Sequence, residues 1–468
     1  MIPYPRIGLL PLYLKLYDSA LPELLGAIEP YHHAVTATFK DADVEVVEAP
    51  VCRVLDDVAA AVADLERRGV DLIVTLHLAY SPSLEAVGPL VETRLPILML
   101  DTTPDASFGR DTDPVRLLYN HGIHGVQDLA SVLRRRGKDY WVVAGHLDNP
   151  DVMTRAAAIA RGARAASQLR KSCALRIGPR FDGMGDFRVA DLELYGSLGI
   201  AVDQIEAATL TEDVRAVTDE EVEAELAADA KRFEIDAPRD VHARSVRVGL
   251  GLRKYLDRHG YAAFSMNFLA FDSADGPVDT VPFLECCKAM ARGIGYAGEG
   301  DVLTASFNGA LANAIGEVTF TEMFCPDWEG GAIFLSHMGE FNPAVAGGKP
   351  RLYEKEFPFT PALNPATLAC APRPGAATLV NLAPGPEGSY TIIGAPVKVL
   401  ADGTHPACRD WIRGWVKPQL QLEPFLERYS ELGGTHHAAL LYGDGRDALD
   451  AFARGAGFGF AWLDGSPC

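Results

Sequence analysis

The 468-residue sequence predicts the α/β fold class, with two α/β domains followed by a third, mainly antiparallel β domain. Three observations predict it. Over residues 1–145 short β-rich apolar runs alternate with longer amphipathic stretches, the pattern of βα units around a parallel sheet. Over 150–315 helical patterns dominate, interrupted by further strand-like runs. From 316 onward short apolar runs are separated by Pro/Gly-rich turns, which is how antiparallel strands are punctuated. The expected domains are 1–168, 169–315 and 316–468, in keeping with a chain too long for one ordinary core.

In the first domain IGLLPLYL, VEVVEA, DLIVTL, PILML and YWVVAG read as strands. LDDVAAAVADLERRG and PVRLLYNHGIHGVQDLASVLRRRG read as helices, the second carrying His121 and His124 near its middle. Ligands usually bind at the carboxyl ends of such strands, and His77 sits at one of them. In the second domain CALRIG and AAFSMNFLAF are strand-like, while TDEEVEAELAADAKRFEIDAP is a charged amphipathic helix whose acidic run reads as a solvated face. In the third, EVTFTEMF, GAIFLSHM, ATLVNLAP, SYTIIGAPVKVL and HHAALLYG are the strands.

Composition narrows the function classes. With 48% hydrophobic and 23% charged residues the chain reads as a soluble globular protein. A formal charge of −20 leaves no dense cationic field for a phosphate backbone, so nucleic acid is not expected as a partner. Arg134, Arg135, Arg136 and Lys138 close a helical pattern, where cations suit the helix dipole. Neither a leader pattern nor an uninterrupted run of 18 apolar residues occurs, which predicts a cytoplasmic protein without a membrane segment. The 8 cysteines are scattered and form no Cys-x-x-Cys pair, so free thiols are expected rather than a zinc or redox site.

Gly293-Ile-Gly295-Tyr-Ala-Gly298 spells the dinucleotide fingerprint, but LECCKAMARG before it reads as a helix where the fingerprint needs a strand. No nucleotide cofactor is expected. Directly after it, Glu299 and Asp301 precede the helix-like VLTASFNGALANAIG, a position that serves helix capping as well as function. Strand alternation in EVTFTEMF puts Glu322 on one face with Val318, Phe320 and Phe324, an apolar surface on which a bare carboxylate is costly. His337 shares a face with Ile333 and Leu335 by the same reasoning, although a lone histidine there is more often a core residue. His436 and His437 are adjacent on an apparent strand, so only one of them should join a given site. Two carboxylates and two imidazoles make a mixed oxygen and nitrogen donor set that suits Mn²⁺, Co²⁺ or Mg²⁺.

These motifs resemble the L-arabinose isomerase family, within the group that includes L-fucose isomerase. The matching stretches are GYAGEGDVLTA (295–305), TFTEMF with SHMGEFNP (319–324 and 336–343) and GGTHHAALL (433–441), with weaker echoes in LHLAYSP, NHGIHG, VVAGH and LVNLA. The resemblance implies two α/β domains of flavodoxin-like or Rossmann-like type, then a β-barrel-like domain. It implies trimers or hexamers with pockets between subunits. It assigns the metal to Glu299, Glu322, His337 and His437, with Mn²⁺ the leading candidate, and places Asp301 beside them. His124 matches a histidine that lies near the sugar, reaching a neighbouring subunit's pocket.

Departures from the family pattern gather near the sugar. A polar Gly-Ser-Gln-His-Leu-Tyr-Gly segment is replaced by Leu12-Tyr13-Leu14-Lys15-Leu16-Tyr17-Asp18, so that Leu14 stands where a glutamine touches the sugar. A second glutamine becomes His121, Met323 takes an acidic position, and a His-Thr-Gln becomes Asp101-Thr102-Thr103. The substrate-facing set is thus Leu14, Lys15, His121, His124 and Asp301. The implied reaction is metal-dependent aldose-ketose isomerisation of a free sugar through a cis-enediol, with Glu299 and Glu322 as the acid/base pair. A different or modified sugar, or a sugar-binding relative without turnover, is the alternative reading.

Overall fold

Strands β1 (Arg6–Leu12), β2 (Glu45–Glu48), β3 (Leu72–His77), β4 (Ile97–Asp101) and β5 (Trp141–Ala144) form a parallel sheet in the order β2-β1-β3-β4-β5. This is a computed structural model, which describes residues 4–403 and 405–466. β3 is buried along its whole length, as an apolar run covered on both faces must be. The helix Leu24–Asp41 contributes to the core on one face, and helices Leu55–Arg67 and Gly122–Arg135 cover the other.

The long helix expected across 114–137 is broken. A 3₁₀ turn, Pro114–Leu117, is followed by a helix that starts only at Gly122, so His121 and His124 stand at its amino end and not in its middle. The Asn120 side chain accounts for the break: its amide donates to Arg116 O at 3.1 Å and to Asp105 Oδ2 at 2.7 Å, competing with a continuing helix. Gly122 then packs so tightly on β3 that a Cβ there would lie 2.7 Å from His77 O.

The second sheet is parallel as well, ordered β10-β9-β6-β7 from β6 (Cys173–Ile177), β7 (Ala201–Ile205), β9 (Ala263–Met266) and β10 (Gly295–Gly298). β7 and β10 carry no strand signal in the sequence: AVDQI is half polar and lies at an edge, and GYAG is short and glycine-rich. The GIGYAG stretch thus runs into a strand rather than out of one. Short strands β8 (Glu234–Ile235), β13 (Arg351–Glu354) and β14 (Ala366–Ala369) form a small separate sheet.

The antiparallel region closes on itself. β11 (Val318–Asp327), β12 (Ala332–Ser336), β15 (Gly375–Pro384), β16 (Tyr390–Val399), β17 (Gly414–Pro418) and β18 (His437–Tyr442) run in the order β15-β18-β11-β12-β17-β16, and β15 pairs again with β16. The result is a six-stranded barrel with no free edge among those strands; β19 (Gly459–Trp462) adds to the outside of β16. Ile333, Leu335, Leu379, Val397, Val416 and Leu440 fill its interior. The helix Val302–Ala314, almost wholly buried, packs against β9 and β10 on one side and β11 and β18 on the other.

Two details of face assignment differ from strand alternation. A bulge between Met323 and Cys325 shifts the register of β11, so Phe324 leaves the apolar side of Val318 and Phe320 and is half exposed. β12 ends at Ser336, so His337 is released from the alternation that puts Ile333 and Leu335 inside the barrel.

The described chain forms two compact units, one of residues 4–167 with 450–455 and one of 168–449 with 456–466. The second sheet and the barrel share the second unit. Among the described residues no helix is long and apolar enough to cross a membrane.

Candidate metal centre

Glu299 leaves the carboxyl end of β10 on a turn that few side chains tolerate, with φ +64°. The turn is held from both sides: Glu299 N–H donates to Met266 O and Glu299 O accepts from Phe181 N–H, each at 2.9 Å. Glu322 on β11 faces His437 on β18 and Ser336 on β12 across the sheet. Gly298 makes room for the next ligand, since a Cβ there would lie 2.9 Å from His337 Cε1.

The polar atoms converge. Glu322 Oε1 is 3.1 Å from His337 Nε2 and 3.0 Å from His437 Nε2, and His437 Nε2 is 3.5 Å from Glu299 Oε2. His436 Nε2 lies 3.8 Å from Glu299 Oε2 and 4.0 Å from Glu322 Oε1. These are ion-pair separations without hydrogen-bond angles: the buried atoms Glu299 Oε2, Glu322 Oε1 and His437 Nε2 have no hydrogen-bond partner among the described residues. Two carboxylate oxygens and an imidazole nitrogen, buried and left with unshared lone pairs around one point, fit a cation.

Each histidine is clamped from behind. His337 Nδ1 donates to Glu340 Oε2 at 2.6 Å, His437 Nδ1 to Asp301 Oδ2 at 2.9 Å, and His436 Nδ1 to Asp186 Oδ2 at 2.7 Å. Because a carboxylate only accepts, Nδ1 carries the hydrogen in all three and Nε2 is turned to the cluster. Phe187 stacks on the His437 ring at 4.9 Å and 7°, and the Phe320 ring meets His337 and His437 at 4.8 and 5.0 Å.

The charges respond to this crowding. Burial pushes the Glu299 carboxyl up, but the neighbouring His436 and His437 rings outweigh it and hold it at about 2. Glu322 is likewise held well below the usual carboxylate range, against its burial, by His337 and His437. Burial disfavours a charged His337, yet Glu340 and Glu322 on either side push it up to about 10. Carboxylates and imidazoles packed this closely favour each other's charged forms.

The structure therefore brings together Glu299, Glu322, His337 and His437. It also corrects two expectations. His436 is not turned away: it sits in a bend before β18, where alternation does not apply, and Glu299, Glu322, His436 and His437 each offer a ligand atom within 4.8 Å of the others. Asp301 is 1% exposed and each of its oxygens is already engaged, one on His437 and one capping the helix at Thr304 N–H, so that it stands behind a ring of the cluster. Glu340, Asp186, Tyr296 and Phe187 were not legible as site residues. Glu340 had a signal in its spacing of three from His337, the reach of a tight turn; Asp186 is 250 residues from His436 and had none.

Leu14, Lys15, His121 and His124 belong to the first unit. Leu14 and Lys15 follow the carboxyl end of β1, the lysine exposed. His124 Nδ1 is 3.0 Å from His121 Nε2, and the Tyr80 ring is 4.9 Å from that of His124. His77 lies under this helix end, buried, with neither ring nitrogen hydrogen-bonded among the described residues. The sheet order reverses between β1 and β3, and the crevice at such a reversal is where open α/β sheets take ligands.

The sequence profile of the L-arabinose isomerase central domain matches residues 181–316, and that of the L-arabinose isomerase C-terminal domain matches 317–458. The chain belongs to the L-arabinose isomerase family. The L-arabinose isomerase of a Nocardioides species is 27% identical over 465 residues, covering 95% of this chain and 91% of that protein. Those of Shouchella clausii (27% identity, 92% and 90% covered) and Geobacillus thermodenitrificans (26%, 82% and 79%) are similar over slightly shorter spans. At this identity the chain is a divergent member of the family, and it is a sugar isomerase. Every cluster residue, from Asp186 to His437, falls inside the span matched by the two domain profiles.

Proposed function

We propose that this isomerase interconverts an aldose and a ketose, L-arabinose and L-ribulose or a related sugar, with one divalent cation held by Glu299, Glu322, His337 and His437. The observation that carries the proposal is the convergence of buried, unsatisfied Glu299 Oε2, Glu322 Oε1 and His437 Nε2 on one point, with each histidine clamped from behind. His337 is preferred to His436 as fourth ligand because its Nε2 is the closer to Glu322, at 3.1 against 4.0 Å. The hard oxygen and nitrogen donors favour Mn²⁺, with Co²⁺ or Mg²⁺ as substitutes.

Bound there, such an ion supplies a Lewis acid for the sugar's C1 and C2 oxygens, which acidifies the neighbouring C–H bonds. The protein's own groups do the rest. One glutamate of the pair takes the proton from C2 of the aldose, and a cis-enediol forms as O1 gains a proton. The proton returned to C1, with loss of the O2 proton, gives the ketose. Glu299 and Glu322 titrate as a coupled pair, so either can be written as the base. His436, held by Asp186 and open to solvent, faces the sugar's oxygens. Asp301 and Glu340 hold rings in place without touching substrate.

Glu322→Gln tests this reading. Ketose formation should fall by about 10³-fold with the circular dichroism spectrum unchanged. Turnover within tenfold of the parent would remove Glu322 from the chemistry.

A further inference from the structure

We propose that Glu340, backed by Tyr296, is the positioning residue that fixes His337 for the cation and so sets how tightly the site holds metal. The inference rests on the metal reading above and extends it to two residues outside the ligand set. Glu340 is 2% exposed, and its carboxylate is fully engaged: Oε2 accepts from His337 Nδ1 at 2.6 Å and from Gly339 N–H at 2.8 Å, and Oε1 accepts from the Tyr296 hydroxyl at 2.7 Å.

The geometry leaves His337 one orientation. Nδ1 is fixed on Glu340, one flank of the ring lies against Gly298, and the Phe320 ring closes another side. His436 and His437 each reach both Glu299 and Glu322, whereas His337 reaches only Glu322 of the two. Its placement therefore depends most on what stands behind it. Tyr296 lies on β10, the strand that delivers Glu299, so the chain Tyr296–Glu340–His337 ties a ligand after β12 to the strand carrying a ligand from the other sheet. A carboxylate behind an imidazole also fixes the tautomer and strengthens the donor nitrogen, an effect that typically changes metal affinity 10- to 100-fold.

The experiment is calorimetric titration of Mn²⁺ into the metal-stripped full-length protein, its Glu340→Gln and Tyr296→Phe variants, and a Glu285→Gln control. Glu285, on the helix Phe283–Ala291, is an equally buried acid whose ion pairs are with Arg253 and Arg292 and with none of the cluster's ligands. Glu340→Gln should weaken Mn²⁺ by about 10- to 100-fold and shift the visible absorption of the Co²⁺-loaded protein. Tyr296→Phe should weaken it in the same direction by a smaller factor, and it decides the matter if Glu340→Gln does not fold. Glu285→Gln should lose thermal stability yet keep its Mn²⁺ affinity within twofold. Parent-like affinity in both site variants overturns the proposal, as does an equal loss in the control. A parent protein that takes up no Mn²⁺ overturns the metal reading itself, a result distinct from either.

Discussion

The two crevices of this molecule, each at the carboxyl end of a parallel sheet, are built in opposite ways. In the second unit the cluster is rigid and over-determined: each histidine has a carboxylate behind it, Glu299 is pinned at both its N–H and its C=O, and aromatic rings fill the gaps. In the first unit, Leu14 is half-buried, Lys15 is exposed, and among the described residues the one polar bond between site candidates is that of His121 with His124. The cluster also keeps the family's motifs while the first unit departs from them at Leu14 and His121. Chemistry that depends on charge placed to within a fraction of an ångström tolerates little change, whereas hydroxyl recognition can be rebuilt residue by residue.

That contrast can be broken or sharpened by four changes, taken here from the largest effect to the smallest. Glu299→Gln should match Glu322→Gln, with a loss of about 10³-fold in turnover, because the two carboxylates act on one proton; a loss confined to KM would undo the pairing. In the first unit, burial holds the His77 ring neutral, lowering it to about 4 despite the nearby Asp128. Its unfolded value is about 6.5, so below that pH the unfolded chain binds a proton that the folded one refuses. Stability should fall as pH drops from about 6.5 to about 4 and then level off, by about 3 kcal/mol in total. Denaturant titrations of His77→Gln should show that slope removed.

Mn²⁺ at about 100 times its Kd should stabilise the second unit by roughly 2.7 kcal/mol. Hydrogen exchange should slow at β10, β11 and β18 and remain unchanged at β1 and β3. Equal protection of both sheets would mean that the ion acts on the whole molecule. Leu14→Gln, which puts a polar group where the family resemblance implies a sugar contact, should change the preference between sugars by about tenfold, read as a ratio of kcat/KM values, without altering Mn²⁺ affinity.

Much of this was legible in the sequence because the signals are local. Apolar runs such as DLIVTL and ATLVNLAP announce strands by burial alone, and turn residues separate the barrel strands. Glu299, Glu322 and His337 stood out as charged or titratable side chains in apolar strands or at a helix start, whereas the choice of His437 over His436, and of the four as one metal set, came from the resemblance to the family. What escaped depends on three-dimensional proximity or on backbone irregularity. β10 is four residues of GYAG, with no side-chain pattern to read. The bulge after Met323 turned Phe324 outward, and the bend at His436 let two adjacent histidines face one site. Asp186 reaches His436 only because the fold brings a loop after β6 to the start of β18.

The most direct test of the central claim is ketose formation by the metal-stripped protein across L-arabinose, L-fucose and D-galactose, with and without added Mn²⁺. Conversion of at least one sugar that vanishes on stripping and returns with Mn²⁺ is the predicted result. Undiminished conversion by the stripped protein, or none from any sugar when Mn²⁺ is bound, would contradict it.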